Sequence, residues 1–294
     1  MSSKSETKTQ TRYVGESNEF LSSHLELETT REEIISYIRN TVDDSGMYGA
    51  IVALSGGIDS TLTAALAVEA LGSDRVLGLS LPCHKAESPH AHEARIMAEA
   101  LGIEFYEIQL RPLLDFFEDM IAPWLEPGPA EQEGFHVMDQ TIGNLIARLR
   151  MTCIYYAANR WSRLVLGTAN RSELLLGYFT KYGDGGADLY PIGDLYKTEV
   201  RALADHIGVP KRIISKDPTA GFWAGQTDAD ELGATYDVID PLLRRTVDRN
   251  ESPDVAATML GVDLATARRI TSLHANTSHK RTVPPTPSTV QRKK

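Results

Sequence analysis

The sequence predicts an α/β fold: a doubly wound parallel sheet with helices on both faces, followed by a C-terminal helical region. Three observations carry that expectation. Short apolar runs alternate with helical stretches of about 10 to 15 residues, the pattern of successive βαβ units. The runs are apolar almost throughout, as strands covered on both faces must be. After Gly167 the pattern changes to loops and helices, ending in a helical region from about Asp228 to Ala275 that is expected to pack on the sheet as a cap.

The elements follow in order. A first helix is expected in "ETTREEIISYIRN", where Thr29 or Thr30 can cap, Glu32 or Glu33 stands three residues on, and Ile34, Ile35 and Ile38 share a face that covers a sheet edge. The run "GAIVAL" at 49–54 predicts the first strand, and a helix near 60–71 follows it. "RVLGLSL" at 75–81 predicts the second strand, with a helix opened by Ser88 and Pro89 that closes near Gly102. "EFYEIQL" at 104–110 predicts a third strand, two helical stretches fall within 111–160, and "RLVLGT" at 163–168 predicts a fourth strand.

Residues 1–18 are polar and without apolar period and predict a flexible tail, as does 281–294, which leaves 19–280 as a single domain. The chain has 294 residues and a formal net charge of -10, from 40 acidic against 30 basic residues. That sign repels polyanions and excludes nucleic acid as a partner. There is no apolar run of the roughly 20 residues that a membrane span needs and no secretory leader pattern, which excludes a membrane partner and predicts a cytoplasmic protein. The two cysteines, Cys83 and Cys153, have no metal or redox spacing and read as packing residues.

The chemistry begins at "ALSGGIDS", Ala53 to Ser60, where a buried strand feeds a six-residue loop that opens a helix. Backbone N–H groups converge on an anion in that setting. Gly56 and Gly57 permit close approach, and Ser55 and Ser60 add hydroxyls. The segment holds no lysine and is no Walker loop. Asp59 repels bare phosphate, unless a magnesium ion stands between the carboxylate and the phosphates. An ordinary Gly-Gly turn with an Asp that favours the helix dipole is the bland account of the same residues. The motif together with its strand context favours the nucleotide site, and it resembles the loop of the ATP pyrophosphatases.

A second segment, "LGTANRSELLLGYFTKYGDGGADLYPIGDLYKTEVRALADHIGVP" from Leu166 to Pro210, begins at the carboxyl end of the fourth strand, where open parallel sheets bind ligands. Thr168 and Asn170 stand at that end, Glu173 offers a second carboxylate, and Lys181 and Lys197 flank a glycine-rich loop. Together with "SGGIDS", "DPTAGFWAGQTDADELG" and the late "SHKR", this segment resembles the ammonia-dependent NAD synthetases over roughly residues 30–285.

The resemblance implies an adenine nucleotide alpha hydrolase-like fold and a C–N ligase. Its reaction converts the carboxylate of deamido-NAD(+) to the carboxamide of NAD(+), using ATP and ammonia and releasing AMP and pyrophosphate by way of an adenylate. Magnesium is the implied cofactor, on Asp59 and Glu173. Ala53, Leu54, Ser55, Gly56, Gly57, Ile58, Asp59, Ser60, Thr168, Lys197 and Thr219 match positions that contact ATP. Arg148, Lys181, Asp188, His279 and Lys280 match positions that hold deamido-NAD, with Arg150 a rival for Arg148. A homodimer is implied, with a dinucleotide site drawing on both subunits. Arg212 to Gly233 corresponds to a loop that orders over ligand. Only about 45 residues precede the first strand, which points to free ammonia rather than a glutaminase domain as the nitrogen source. Many relatives carry aspartates where this chain has His90, His92 and Glu93. A metal reading of His90 and His92 is disfavoured, because positions two apart on a helix do not face one another, and both read as surface residues.

Overall fold

The computed structural model describes residues 20–84, 87–125, 135–219 and 227–287, without the side chains of 135–139. The expected tail 1–18 and residues 288–294 of the other tail lie outside the described residues.

Four parallel strands form one sheet in the order β3-β2-β1-β4: β1 (Gly49–Ala53), β2 (Val76–Ser80), β3 (Glu104–Glu107) and β4 (Arg163–Leu166). Ile51 pairs with Leu77 on one side and Val165 on the other. Successive residues of β1 point to opposite faces. Ala50 and Val52 enter a core with α1 (His24–Asp44), α2 (Ile58–Leu71), α3 (Ser88–Leu101) and α7 (Lys197–His206). Ile51 joins Leu77, Leu79 and Val165 under α4 (Arg111–Met120) and α5 (Phe135–Trp161) on the other face. Each buried aliphatic side chain of this kind contributes about 1.5–3 kcal/mol by leaving water.

Three expectations need correction. Helix α1 begins at His24, because Ser23 and Glu26 form the capping box nearly two turns ahead of Thr29 and Thr30; α1 packs chiefly on α2 and α7 rather than on a sheet edge. Strand β3 is largely exposed, since it pairs with β2 alone and stands at the edge, so burial on both faces does not extend to it. The C-terminal helices α9 (Asp228–Leu232), α10 (Tyr236–Leu243), α11 (Pro253–Leu260) and α12 (Leu264–Asn276) do not cap the sheet itself. They build a third core with Leu176 of the short α6 (Arg171–Leu176) and Tyr196, so that α6 and α7 intervene between them and the strands.

The chain runs outward from β1 to β2 and β3, then crosses to place β4 on the other side of β1. The carboxyl ends of β1 and β4 therefore diverge at a topological switch point, the place where such sheets open a crevice. Leu189 forms a parallel bridge to Leu166, which brings the chain back along β4 after the glycine-rich loop.

Candidate functional site

The crevice starts with the glycine loop. Ser55 N–H donates to Ser60 Oγ at 3.2 Å, Gly57 N–H donates to Ser55 Oγ at 3.3 Å, and the Ser60 hydroxyl donates to the Gly57 carbonyl at 3.2 Å. This ring fixes the turn without using the first-turn N–H groups of α2, which a helix cannot satisfy internally. Gly56 has φ +73°, and a Cβ there would lie 2.3 Å from the carbonyl oxygen of His90 in α3. Only glycine fits both the dihedral and the contact.

Asp59 stands in the first turn of α2, and its Oδ1 accepts from Asn170 Nδ2 at 2.9 Å. Asn170 caps α6 in a capping box with Glu173: its Oδ1 accepts the Glu173 N–H at 3.0 Å, and its own N–H donates to Glu173 Oε2 at 3.3 Å. Lys197, in the first turn of α7, sends a buried ammonium to Asp59 Oδ2 and, at 3.4 Å, to Glu173 Oε1. Its backbone N–H is held by the Ser172 hydroxyl at 3.0 Å. That hydroxyl donates to the buried Asp240 of α10, which also accepts the Thr198 N–H at 2.9 Å. Helix N-termini brought together by hydrogen bonds thus place two carboxylates and one ammonium in a single cluster.

Asp228 of α9 adds a buried carboxylate nearby, accepting from Tyr236 Oη at 2.9 Å and Tyr178 Oη at 3.3 Å. The Lys197 ammonium also lies 5.4 Å above the Tyr236 ring centroid. Burial pushes the Glu173 carboxyl up, Lys197 pulls it back and Asp59 adds to the rise, leaving it at about 8. Burial alone would lower the Lys197 ammonium, but Asp59 and Glu173 outweigh it and hold it above its ordinary value. Asp228 is raised, by burial first, against the pull of Lys197.

The two shared carboxylates face outward. The side chains of Asp59 and Glu173 are each 17% exposed, whereas that of Lys197, beneath them, is 3% exposed. One ammonium stands among three carboxylates, which leaves the site short of positive charge. A divalent cation fits this donor set: two hard carboxylates open toward the crevice, with phosphate and water to complete the shell, as magnesium prefers. Among the described residues no group of three or more His, Cys, Asp or Glu side chains could enclose a metal by itself.

The structure therefore joins what the sequence assigned separately, since Lys197 touches both Asp59 and Glu173. Ala53 and Leu54 lead into the loop at the end of β1, Ile58 is buried beneath it, and Thr168 is half-buried just past β4. Thr219 follows α8 (Lys211–Ile214) and borders residues 220–226, which lie outside the described residues. The two arms of Arg212 to Gly233 are tied where Asp228 N–H donates to the Pro218 carbonyl at 3.0 Å.

A second group lies at the far end of α6. Lys181 Nζ donates to the His279 carbonyl at 2.5 Å, and Arg148 Nη2 donates to the Lys181 carbonyl at 3.4 Å. Lys280 Nζ reaches the carbonyls of Gly177 and Phe179 at 2.7 and 2.8 Å. Arg281, counted with the tail from composition, donates to the Leu175 carbonyl at 2.8 Å and so ties this end of the chain down. Of the two rival arginines, Arg148 is exposed, whereas Arg150 is committed to the Leu81 carbonyl at 2.9 Å and to Glu87. Asp188 is drawn elsewhere: its carboxylate accepts the Val165 N–H at 2.7 Å and the Tyr155 hydroxyl at 3.1 Å, pinning the chain beside β4.

His92 is exposed as expected, but His90 is half-buried between the glycine loop and Lys216, so its reading as a surface residue is corrected. Helical spacing placed it apart from His92 without indicating which face met the loop. Asp228, Ser172 and Asp240 were not picked out from sequence. The N-x-x-E spacing of Asn170 and Glu173 is a visible capping signal, but nothing local announces Asp228, whose neighbours come from distant parts of the chain. Cys83 is buried and its thiol is pushed up to about 11, by burial first and then Glu87; burial also raises Cys153. Both remain protonated, in keeping with packing roles. Among the described residues no helix is long and apolar enough to cross a membrane.

A glycine turn after a central parallel strand, with a carboxylate pair and a buried lysine at the switch point, defines a nucleotide-binding α/β protein of the ATP pyrophosphatase type. The chain belongs to the NAD synthase family, whose model matches residues 30–284. It is 43% identical over 254 residues to an NH(3)-dependent NAD(+) synthetase of Methanococcoides burtonii, covering 86% of this chain and 92% of that one. Among solved structures it is similar to an NMN synthetase from Francisella tularensis, with TM-score 0.74 and 32% identity over 89% of this chain and 98% of the other. It is also similar to an NH3-dependent NAD synthetase from Campylobacter jejuni in complex with nitrate, with TM-score 0.71 and 27% identity over 89% and 99%.

Proposed function

We propose that the chain catalyses the ATP-dependent amidation of deamido-NAD(+) with ammonia to NAD(+), as a magnesium-dependent homodimer in the cytoplasm. The observation that carries this reading is the Asp59–Lys197–Glu173 cluster set against the glycine loop, in a chain whose relatives are named NH(3)-dependent NAD(+) synthetases. In the first step an oxygen of the substrate carboxylate attacks the α-phosphorus. The bond from that phosphorus to the bridging oxygen breaks, and pyrophosphate leaves with the electron pair. Ammonia then attacks the acyl carbon of the adenylate, AMP departs with the bonding pair from the acyl oxygen, and one proton is released. Both nucleophiles are substrates, so no serine or cysteine is required for attack.

The protein's part is positioning and charge neutralisation. First-turn N–H groups of α2 receive phosphate oxygens, with Ser55, Ser60, Thr168 and Thr219 as polar neighbours. Lys197 supplies positive charge from beneath, and Asn170 holds Asp59 in place. Asp59 and Glu173 would hold magnesium, which supplies further neutralisation of the phosphates when bound. Arg148, Lys181 and Lys280, with His279 beside them, form the group assigned to deamido-NAD. Asp188 acts there through its hold on the chain beside β4.

The homodimer is supported by an apolar groove of about 520 Å³ lined by Tyr106, Ile108, Tyr156 and Trp161, all four of them exposed. Exposed aromatic clusters of this kind mark interaction surfaces.

The test is incubation with ATP, magnesium, ammonium and deamido-NAD, following NAD, AMP and pyrophosphate. Because one solved relative is named an NMN synthetase, the acid form of NMN is run in parallel. Equimolar NAD, AMP and pyrophosphate from deamido-NAD is the expected result; product from the mononucleotide alone would refute the assignment of substrate. Asp59→Asn is expected to lower pyrophosphate release by about 100-fold or more with the fold intact, and wild-type turnover in that variant would remove Asp59 from the metal site.

A further inference from the structure

We propose that Lys216 is a further phosphate-binding residue of this site, held beside the glycine loop by His90 until a polyphosphate arrives. The proposal rests on the reading of the loop as the triphosphate site. The loop itself contains no lysine, and Lys197 is already shared by Asp59 and Glu173 with Asp228 close by. A cation not already shared by these carboxylates therefore has to come from a neighbouring segment.

The first turn of α3 lies directly on the loop: a Cβ at Gly56 would stand 2.3 Å from His90 O and 3.1 Å from Glu93 Cβ. From that same histidine the ring Nδ1 meets Lys216 Nζ at 2.9 Å. One residue therefore separates the Lys216 ammonium from the glycine turn. With an ammonium as donor, Nδ1 is the acceptor and the imidazole is neutral, in accord with a histidine held below its ordinary pKa by burial and by Lys216.

Lys216 is under-neutralised where it sits. Among the described residues no carboxylate lies within ion-pair distance of its ammonium. Glu93, the carboxylate that acts on it through space, is engaged by Arg212 at 3.3 Å. Burial lowers the Lys216 ammonium from its ordinary value, with Glu93 opposing. A half-buried cation whose partner is a neutral imidazole gains by exchanging it for a phosphate oxygen, because the anion adds Coulombic attraction to the hydrogen bond that the ammonium donates. Thr219, matched by resemblance to a position that contacts ATP, lies three residues on in the same stretch of chain.

The test compares the full-length wild type with Lys216→Met and Lys216→Arg by calorimetric titration of inorganic pyrophosphate, and separately of AMP, with magnesium present. Lys216→Met is expected to weaken pyrophosphate binding by about 10-fold or more. AMP binding, which lacks the outer phosphates, should stay within about two-fold, and Lys216→Arg should recover pyrophosphate binding to within about three-fold. Unchanged pyrophosphate affinity in Lys216→Met overturns the proposal. Equal weakening of AMP and pyrophosphate also overturns it, since that signals general loosening of the α3 contact. Failure of the wild type to bind pyrophosphate overturns the reading of the loop itself, a result recognisable because it precedes any substitution.

Discussion

Lys197→Met isolates what the buried ammonium contributes, because methionine keeps an unbranched stem and removes the charge. Deleting one partner of a buried ion pair costs about 3–5 kcal/mol when the survivor is left charged and dry. The two survivors here differ. Glu173 is raised to about 8, driven up by burial against the pull of Lys197, and so keeps its proton to higher pH than an ordinary carboxyl. Asp59 keeps Asn170 Nδ2 at 2.9 Å and a side chain that is 17% exposed. Near pH 6 the cost should therefore be only about 1–2 kcal/mol.

The sign of the pH dependence follows from linkage. Glu173 has a folded pKa near 8 against an ordinary 4.5, so the stability it carries is complete below 4.5 and is lost as pH rises to the folded value. In the wild type that loss stops once Glu173 ionises beside Lys197. Without the ammonium the folded pKa rises further and the loss continues, at about 1.4 kcal/mol per pH unit. Urea unfolding at about pH 6, 8 and 9.5 should show a deficit that widens above 8, and pyrophosphate release should fall by about 100-fold or more throughout. A deficit that is constant or shrinking with pH would refute the shared-cation account of the cluster.

Gly56→Ala places a Cβ against His90 O at φ +73° and should cost about 2 kcal/mol or more while weakening ATP binding; an unchanged melting temperature would contradict the contact. Asp240 is pushed up to about 6 by burial, so its stability contribution is complete below 3.8 and lost as pH rises through 6. Asp240→Asn should flatten that fall, measured by denaturant unfolding across the window, and an unaltered slope would remove Asp240 as its source. Tyr156→Glu puts a charge at a position 71% exposed in the apolar groove and should shift the sedimenting mass from dimer to monomer; a wild type that is already monomeric would refute the interface.

What the sequence announced and what it withheld separate along physical lines. Strands β1, β2 and β4 were legible because burial on both faces leaves a continuous apolar run, and the glycine loop was legible because its neighbours are its own sequence neighbours. β3 was visible as a strand, but its exposure was not, since being an edge is a property of strand order. The start of α1 was misplaced because Ser23 with Glu26 and Thr29 or Thr30 with Glu32 or Glu33 offer the same local capping chemistry. Only the added turn bearing Leu27, buried against the rest of the core, decides between them.

The site divides in the same way. Asp59 and Glu173 could be paired through resemblance, yet that both share Lys197 depends on Asn170 bridging α6 to α2 and on Ser172 and Asp240 bridging α6 to α7 and α10. His90 is the sharpest case. Sequence spacing set it apart from His92, but its place between Gly56 and Lys216 arises from α3 crossing the loop, which no periodicity in α3 encodes. The residues that a local pattern leaves unexplained are thus those whose partners come from another element, and in this fold such residues gather where the N-termini of α2, α6 and α7 meet.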